Sequence, residues 1–166
     1  MENYDNSILT DKEKYTQELL ANETAKMNKV STTNIYTYLT SNIKQFKAMH
    51  KEMHSFDKEF LGHAIGEKLL DASNAYMTAY ISTNRELKIK NLKYAIMRLN
   101  EISNLLKMGY TTNSFVNDTY AKFFEKHILT KNAINAFLAS QIFAQQEEDE
   151  KLLKMKTIST SSEQTS

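Results

Sequence analysis

Residues 83–109, TNRELKIKNLKYAIMRLNEISNLLKMG, decide the fold. Along them Ile89, Leu92, Ile96, Leu99, Ile102 and Leu106 recur every three or four positions, the period of one α-helical face. Thr83 followed by Glu86 has the spacing of a capping box, which predicts the start of this helix, helix C. Gly109 stands where a left-handed C-terminal cap is expected, and Thr111-Thr112-Asn113-Ser114 reads as the loop after it. The same period continues outward in both directions. Helix A, about 32–54, carries Tyr36, Leu39, Ile43, Phe46, Met49 and Met53, and Ser55-Phe56-Asp57 breaks it from the next helix. Helix B, about 58–82, carries Leu61, Ile65, Leu69, Ala72, Tyr76 and Ala79. Helix D, about 115–146, carries Val116, Tyr120, Phe123, Phe124, Ile134, Leu138 and Ile142.

Composition agrees with a helical reading. The chain has 166 residues, enough for one domain, with only three Gly and no Pro, so the turn residues of a multi-stranded β fold are missing. The expected fold is an all-α, antiparallel up-down four-helix bundle over residues 32–146. Residues 1–31 form an N-terminal helical extension, with Leu9, Tyr15, Leu19, Leu20 and Met27 in a weak helical pattern over 7–29. Residues 147–166 are expected to be a charged helix end and a disordered tail, because 157–166 can bury too little to offset ordering. The absence of Cys removes disulfides, thiolate metal sites and cysteine nucleophiles. With no signal-peptide core and no span of membrane length, the expected location is cytoplasmic.

The net charge of +1 is unevenly spread. Residues 1–43 hold 4 Lys against 6 acids, residues 44–131 hold 14 Lys and Arg against 9 acids, and residues 132–166 hold 3 Lys against 5 acids. The middle is therefore mildly basic, but charge by itself argues neither for nor against a nucleic-acid partner; Lys90, Lys93, Arg98 and Lys107 of helix C are the candidates for phosphate contact should RNA bind.

Helices B and C each carry a second apolar stripe. Gly66, Leu70, Met77 and Ile81 lie opposite Leu61 and Ile65, and Tyr94, Met97, Leu105 and Met108 lie opposite Leu92 and Leu99. Exposed patches of that extent are uncommon on monomers, so Gly66, Leu70, Met77, Ile81, Tyr94, Met97 and Leu105 are the candidate oligomer interface. The other reading is that segment 7–29 folds back and covers them.

Catalytic and metal chemistry find little support. His50 and His54 are four apart, a spacing compatible with a shared metal, but Lys51 replaces the Glu of the zincin pattern, and no metal or cofactor is expected. No His has Glu three residues before it, as a di-iron bundle requires. His127, within the apolar stripe of helix D, reads as a hydrogen-bonded interior histidine. Gly62 and Gly66 follow no strand and precede no Gly-Lys-Ser/Thr, so they point to close helix packing rather than a phosphate loop. The chain is expected not to be an enzyme.

Three short motifs carry a family resemblance: Phe56 to Asp71 around Gly66-Glu67-Lys68-Leu69, Tyr80-Ile81-Ser82-Thr83-Asn84-Arg85, and Leu105-Leu106-Lys107-Met108-Gly109-Tyr110. Across about 45–140 the chain resembles small four-helix-bundle proteins, namely the accessory variability determinants of diversity-generating retroelements and their relatives encoded in ribosomal RNA intervening sequences. The resemblance implies a non-enzymatic homopentamer that binds a reverse transcriptase and its template RNA and supports mutagenic complementary-DNA synthesis. The alternative is a protein-only helical adaptor or inhibitor using the second stripes of helices B and C.

Overall fold

The computed structural model describes residues 33–163. The predicted extension over 1–31 falls outside the described residues. Four helices account for most of what is described: α1 (Thr33–Glu52), α2 (His63–Ile81), α3 (Arg85–Thr111) and α4 (Asn117–Glu163). A short helical turn, Ser55–Asp57, and a π-helical segment, Lys58–Gly62, join α1 to α2. Among the described residues there is no strand, and no helix is long and apolar enough to cross a membrane.

Cross-helix contacts show how the helices lie. Lys68 meets Glu101 and Asp71 meets Arg98, so residue numbers rise along α2 as they fall along α3. Ser103 meets His127 between α3 and α4, while Phe46 meets Phe123 and Glu52 meets Thr119 between α1 and α4, again in opposite running order for that last pair. The main contacts join α2 to α3, α3 to α4, and α4 to α1; α1 and α2 barely touch.

The core follows the predicted stripes except at Tyr36 of α1 and at Val116, just before α4, which are exposed. Leu92, Leu99, Ile102 and Leu106 of α3 are fully buried, as are Ile65 and Ala72 of α2, Met49 of α1 and Phe123 and Ile134 of α4. Burying each large apolar side chain stabilises by about 1.5–3 kcal/mol, and this burial selects helices that propensity alone would leave marginal.

The helix ends differ from the sequence reading in three places. The N-cap of α3 is Asn84, whose Oδ1 accepts from the Leu87 N–H at 2.9 Å, so the Thr83–Glu86 capping box does not form. Ser82 holds Asn84 in place, its Oγ accepting from the Asn84 N–H and donating to the Asn84 carbonyl. At the other end α3 runs past Gly109 to Thr111, and the left-handed residue is Asn113, φ 56°. Ser114 N–H then bonds the Gly109 carbonyl and Asn113 N–H the Tyr110 carbonyl, which is the Schellman pattern. Gly109 is needed for another reason: the Phe115 ring lies where its Cβ would stand. Finally, α4 passes the predicted end at 146 and carries Glu147–Glu150 mid-helix, because Leu, Lys, Met and Glu dominate 147–156 and no Gly or Pro stops it. At 47 residues it is about 70 Å long.

Candidate functional surfaces

The sparse contact between α1 and α2 leaves a groove of about 400 Å³. Phe46 and His50 of α1 form one wall, and Gly62, at the end of the π-helical segment, with His63, Gly66, Glu67 and Leu70 of α2, forms the other. Both glycines mark close approach. A Cβ on Gly62 would come 2.6 Å from His50 Cδ2, and one on Gly66 would come 3.1 Å from the Phe46 ring. The π-helical segment ends at Gly62, so the irregular winding coincides with the point where the chain must pass under His50.

Leu70 is 60 % exposed at the edge of this groove. Lys68 and Asp71, its near neighbours in sequence, reach α3 instead. At 100° per residue Leu70 is turned about 160° from Lys68, so the Gly66–Leu70–Met77–Ile81 stripe runs along the α1 side of α2. Met77 and Ile81 continue it and are exposed.

The stripe of α3 lies elsewhere. Tyr94, Met97 and Met108 are exposed on the side away from Leu92 and Leu99. Leu105 is half-buried and packs against the core, so it belongs to the interior more than to this outer face. Of the seven candidate interface residues, the six other than Leu105 therefore form two separate surfaces, Gly66, Leu70, Met77 and Ile81 on α2 and Tyr94 and Met97 on α3.

Beside the outer face sits a charged network. Arg98 Nε and Nη2 donate to Tyr94 Oη at 2.9 and 2.8 Å, and Arg98 Nη1 donates to Glu101 Oε2 at 2.9 Å. Lys68 Nζ reaches the same Glu101 oxygen at 2.8 Å, and Asp71 lies 3.4 Å from Arg98 Nε. Hydrogen bonds from Lys68, then Arg98, hold the Glu101 carboxyl below the usual range. Of the four candidate RNA contacts, Lys90, Lys93 and Lys107 are exposed, whereas the Arg98 guanidinium is engaged within the protein.

The histidine pair separates. His50 is in α1 and tilts against Phe46 with ring centroids 5.6 Å apart, while His54 lies beyond the helix end as the exposed N-cap of the short turn. Among the described residues no three His, Cys, Asp or Glu side chains are grouped to hold a metal.

One polar layer inside the core was not anticipated as a unit. His127 is fully buried and its Nε2 lies 2.8 Å from Ser103 Oγ. Ser103 donates to the Leu99 carbonyl at 3.1 Å, which leaves its lone pairs to accept from His127 in the tautomer that carries the proton on Nε2. Burial first, then the Lys131 ammonium, lowers the His127 pKa to about 3, against a smaller raising effect from the Leu99 backbone. Asn42 of α1 is fully buried with neither amide atom hydrogen-bonded, and the register of Phe46 on Phe123 brings it to the level of His127. Asn42, Ser103 and Thr130 are polar residues on otherwise apolar stripes, which is the signal a sequence reading could have used.

No family model, curated protein or solved structure matches the chain.

Proposed function

We propose that this protein is a four-helix bundle of antiparallel, up-down topology that acts in the cytoplasm by binding rather than by catalysis, and that it assembles with copies of itself through the outer face of α3. The observation that carries this reading is the exposure of Tyr94, Met97 and Met108 beside a set of charges that is its own complement, Lys68 and Arg98 with Asp71 and Glu101. A second copy presents the same apolar residues and equal numbers of opposite charges, as an isologous contact requires. The buried Ser103–His127 pair fits this non-catalytic role, since the imidazole is enclosed and the hydroxyl is committed to Leu99. Met97→Glu places an unpaired charge in the contact and should reduce the particle measured by light scattering to the 19.2 kDa monomer, with helicity retained. A wild-type particle already of that mass overturns the proposal.

A second reading follows the resemblance: a pentameric accessory protein contacting a reverse transcriptase and template RNA. It is favoured by Lys107 and Lys131, close enough that Lys107 adds to burial in lowering the Lys131 pKa, a repulsion that a phosphate would relieve. Lys90→Gln, Lys93→Gln and Lys107→Gln together should weaken RNA binding and flatten its salt dependence, while Arg98→Gln should change it little. Absence of RNA retention by wild-type protein at micromolar concentration in low salt excludes this reading.

A further inference from the structure

With eight methionines and no cysteine, the side chains of this protein most readily oxidised by a peroxide are thioethers. Their places differ. Met49 and Met53 are buried in the core, whereas Met97 and Met108 are 45 % and 51 % exposed on the outer face of α3. We propose that Met97 and Met108 form a redox-controlled modification site: a hydroperoxide converts both thioethers to sulfoxides, and the oxidised subunit no longer makes the α3 contact. This rests on the self-association reading and supplies its regulation.

The reaction balances with the hydroperoxide alone. A sulfur lone pair attacks the terminal peroxide oxygen, the S–O bond forms as the O–O bond breaks, and the proton on the transferred oxygen passes to the departing alkoxide. Sulfur loses two electrons and the hydroperoxide becomes an alcohol, or water where the oxidant is hydrogen peroxide. A methionine sulfoxide reductase supplied with a dithiol reverses the step.

The make-up of the contact decides the effect. Its large exposed apolar residues are Tyr94, Met97 and Met108, so oxidation turns two of the three into strong hydrogen-bond acceptors. In an isologous pair each copy brings both, and acceptor meets acceptor across the two-fold axis. The nearest donors are already engaged, Arg98 with Tyr94 and Glu101, and Lys68 with Glu101. An acceptor buried without a donor loses its hydration uncompensated. In the separate subunit the same oxygens face water. Lys93 and Asn104, exposed one turn before Met97 and Met108, add donors there, because a helical side chain leans over the turn that precedes it. Oxidation therefore favours the free subunit, which is also the form that presents both sulfurs to the oxidant.

The full-length protein is weighed by light scattering before and after hydrogen peroxide, with sulfoxides mapped by peptide mass spectrometry and helicity followed by circular dichroism. Sulfoxide should form at Met97 and Met108 while Met49 and Met53 stay unmodified, the dissociation constant should rise about tenfold or more with helicity kept, and reductase with dithiothreitol should restore the original mass. Met77 and Met155 are exposed away from this face, so Met77→Leu with Met155→Leu should respond to peroxide as the wild type does. A particle of unchanged mass carrying both sulfoxides overturns the proposal and leaves self-association standing. Dissociation that requires Met77 or Met155, that comes with loss of helicity, or that precedes sulfoxide at Met97 and Met108 also overturns it. A wild-type mass of 19.2 kDa before any peroxide removes the contact itself, and this regulation with it.

Discussion

Phe115 covers Gly109 at the α3–α4 end of the molecule, and Phe46 covers Gly66 across from it, yet the two seams finish differently. Phe115 is the first ring of a stack that continues through Tyr120 to Phe124, with Tyr110 against Tyr120, centroids 5.3–5.7 Å apart. A Cβ on Gly109 would fall within the Phe115 ring, whereas one on Gly66 would meet Phe46 at 3.1 Å, and Phe46 borders open groove. The difference teaches that a glycine inside a helix is set by its neighbour's freedom to move. Neither glycine has a positive φ, so backbone conformation explains neither.

The largest test of the comparison is to add the same methyl on both sides. Gly109→Ala gains about 1 kcal/mol of helix propensity but must displace a ring locked in a stack, so urea denaturation should show a net loss of about 1–3 kcal/mol. Gly66→Ala makes the same propensity gain and asks Phe46 for a shift of a few tenths of an ångström, so stability should be unchanged or raised. Equal losses at both positions would show the α1–α2 seam to be as tightly closed as the other.

His127 offers a test of intermediate size within the closed side. Its pKa falls from 6.5 unfolded to about 3 folded, so between those values the unfolded chain binds more protons. Stability therefore falls as pH drops from about 6.5 toward 3, with a slope of up to about 1.4 kcal/mol per pH unit from this one group. The difference in unfolding free energy between wild type and His127→Gln should narrow or reverse across pH 6.5–4 and be flat above pH 7. A difference independent of pH would mean the imidazole is solvated.

The smallest effect separates the two candidate caps of α3. Asn84→Ala should cost about 1 kcal/mol, while Thr83→Ala should stay within a few tenths, read from thermal melts. The reverse order would restore the capping box.

What was legible follows from what periodicity contains. Ile65, Leu92, Leu99, Ile102 and Phe123 repeat at helical spacing because burial demanded it, so their helices and core could be read directly. Periodicity gives an angle around one helix and not which neighbour that angle faces. Leu70 and Met97 therefore looked like parts of one surface, although one borders α1 and the other faces outward from α3. Caps failed for a local reason: Thr83 and Asn84 are adjacent residues of similar capping ability, and only the Ser82 contacts choose between them. The end of helix D was misplaced because charge was read as a stop where the backbone needs only good helix formers.

The length of α4 has a hydrodynamic consequence. Its contact with α3 is still marked at Arg85 with Glu148, near the start of α3, and fifteen further residues to Glu163, about 22 Å, project past that point. A 19.2 kDa particle carrying such a rod has a friction coefficient well above that of a sphere of equal mass. On a sizing column it should elute early enough to resemble a dimer even when single, and its sedimentation coefficient should err in the opposite direction. The two measurements combined return the true mass and report the projection itself, and shortening the chain at residue 150 should bring the two apparent masses together.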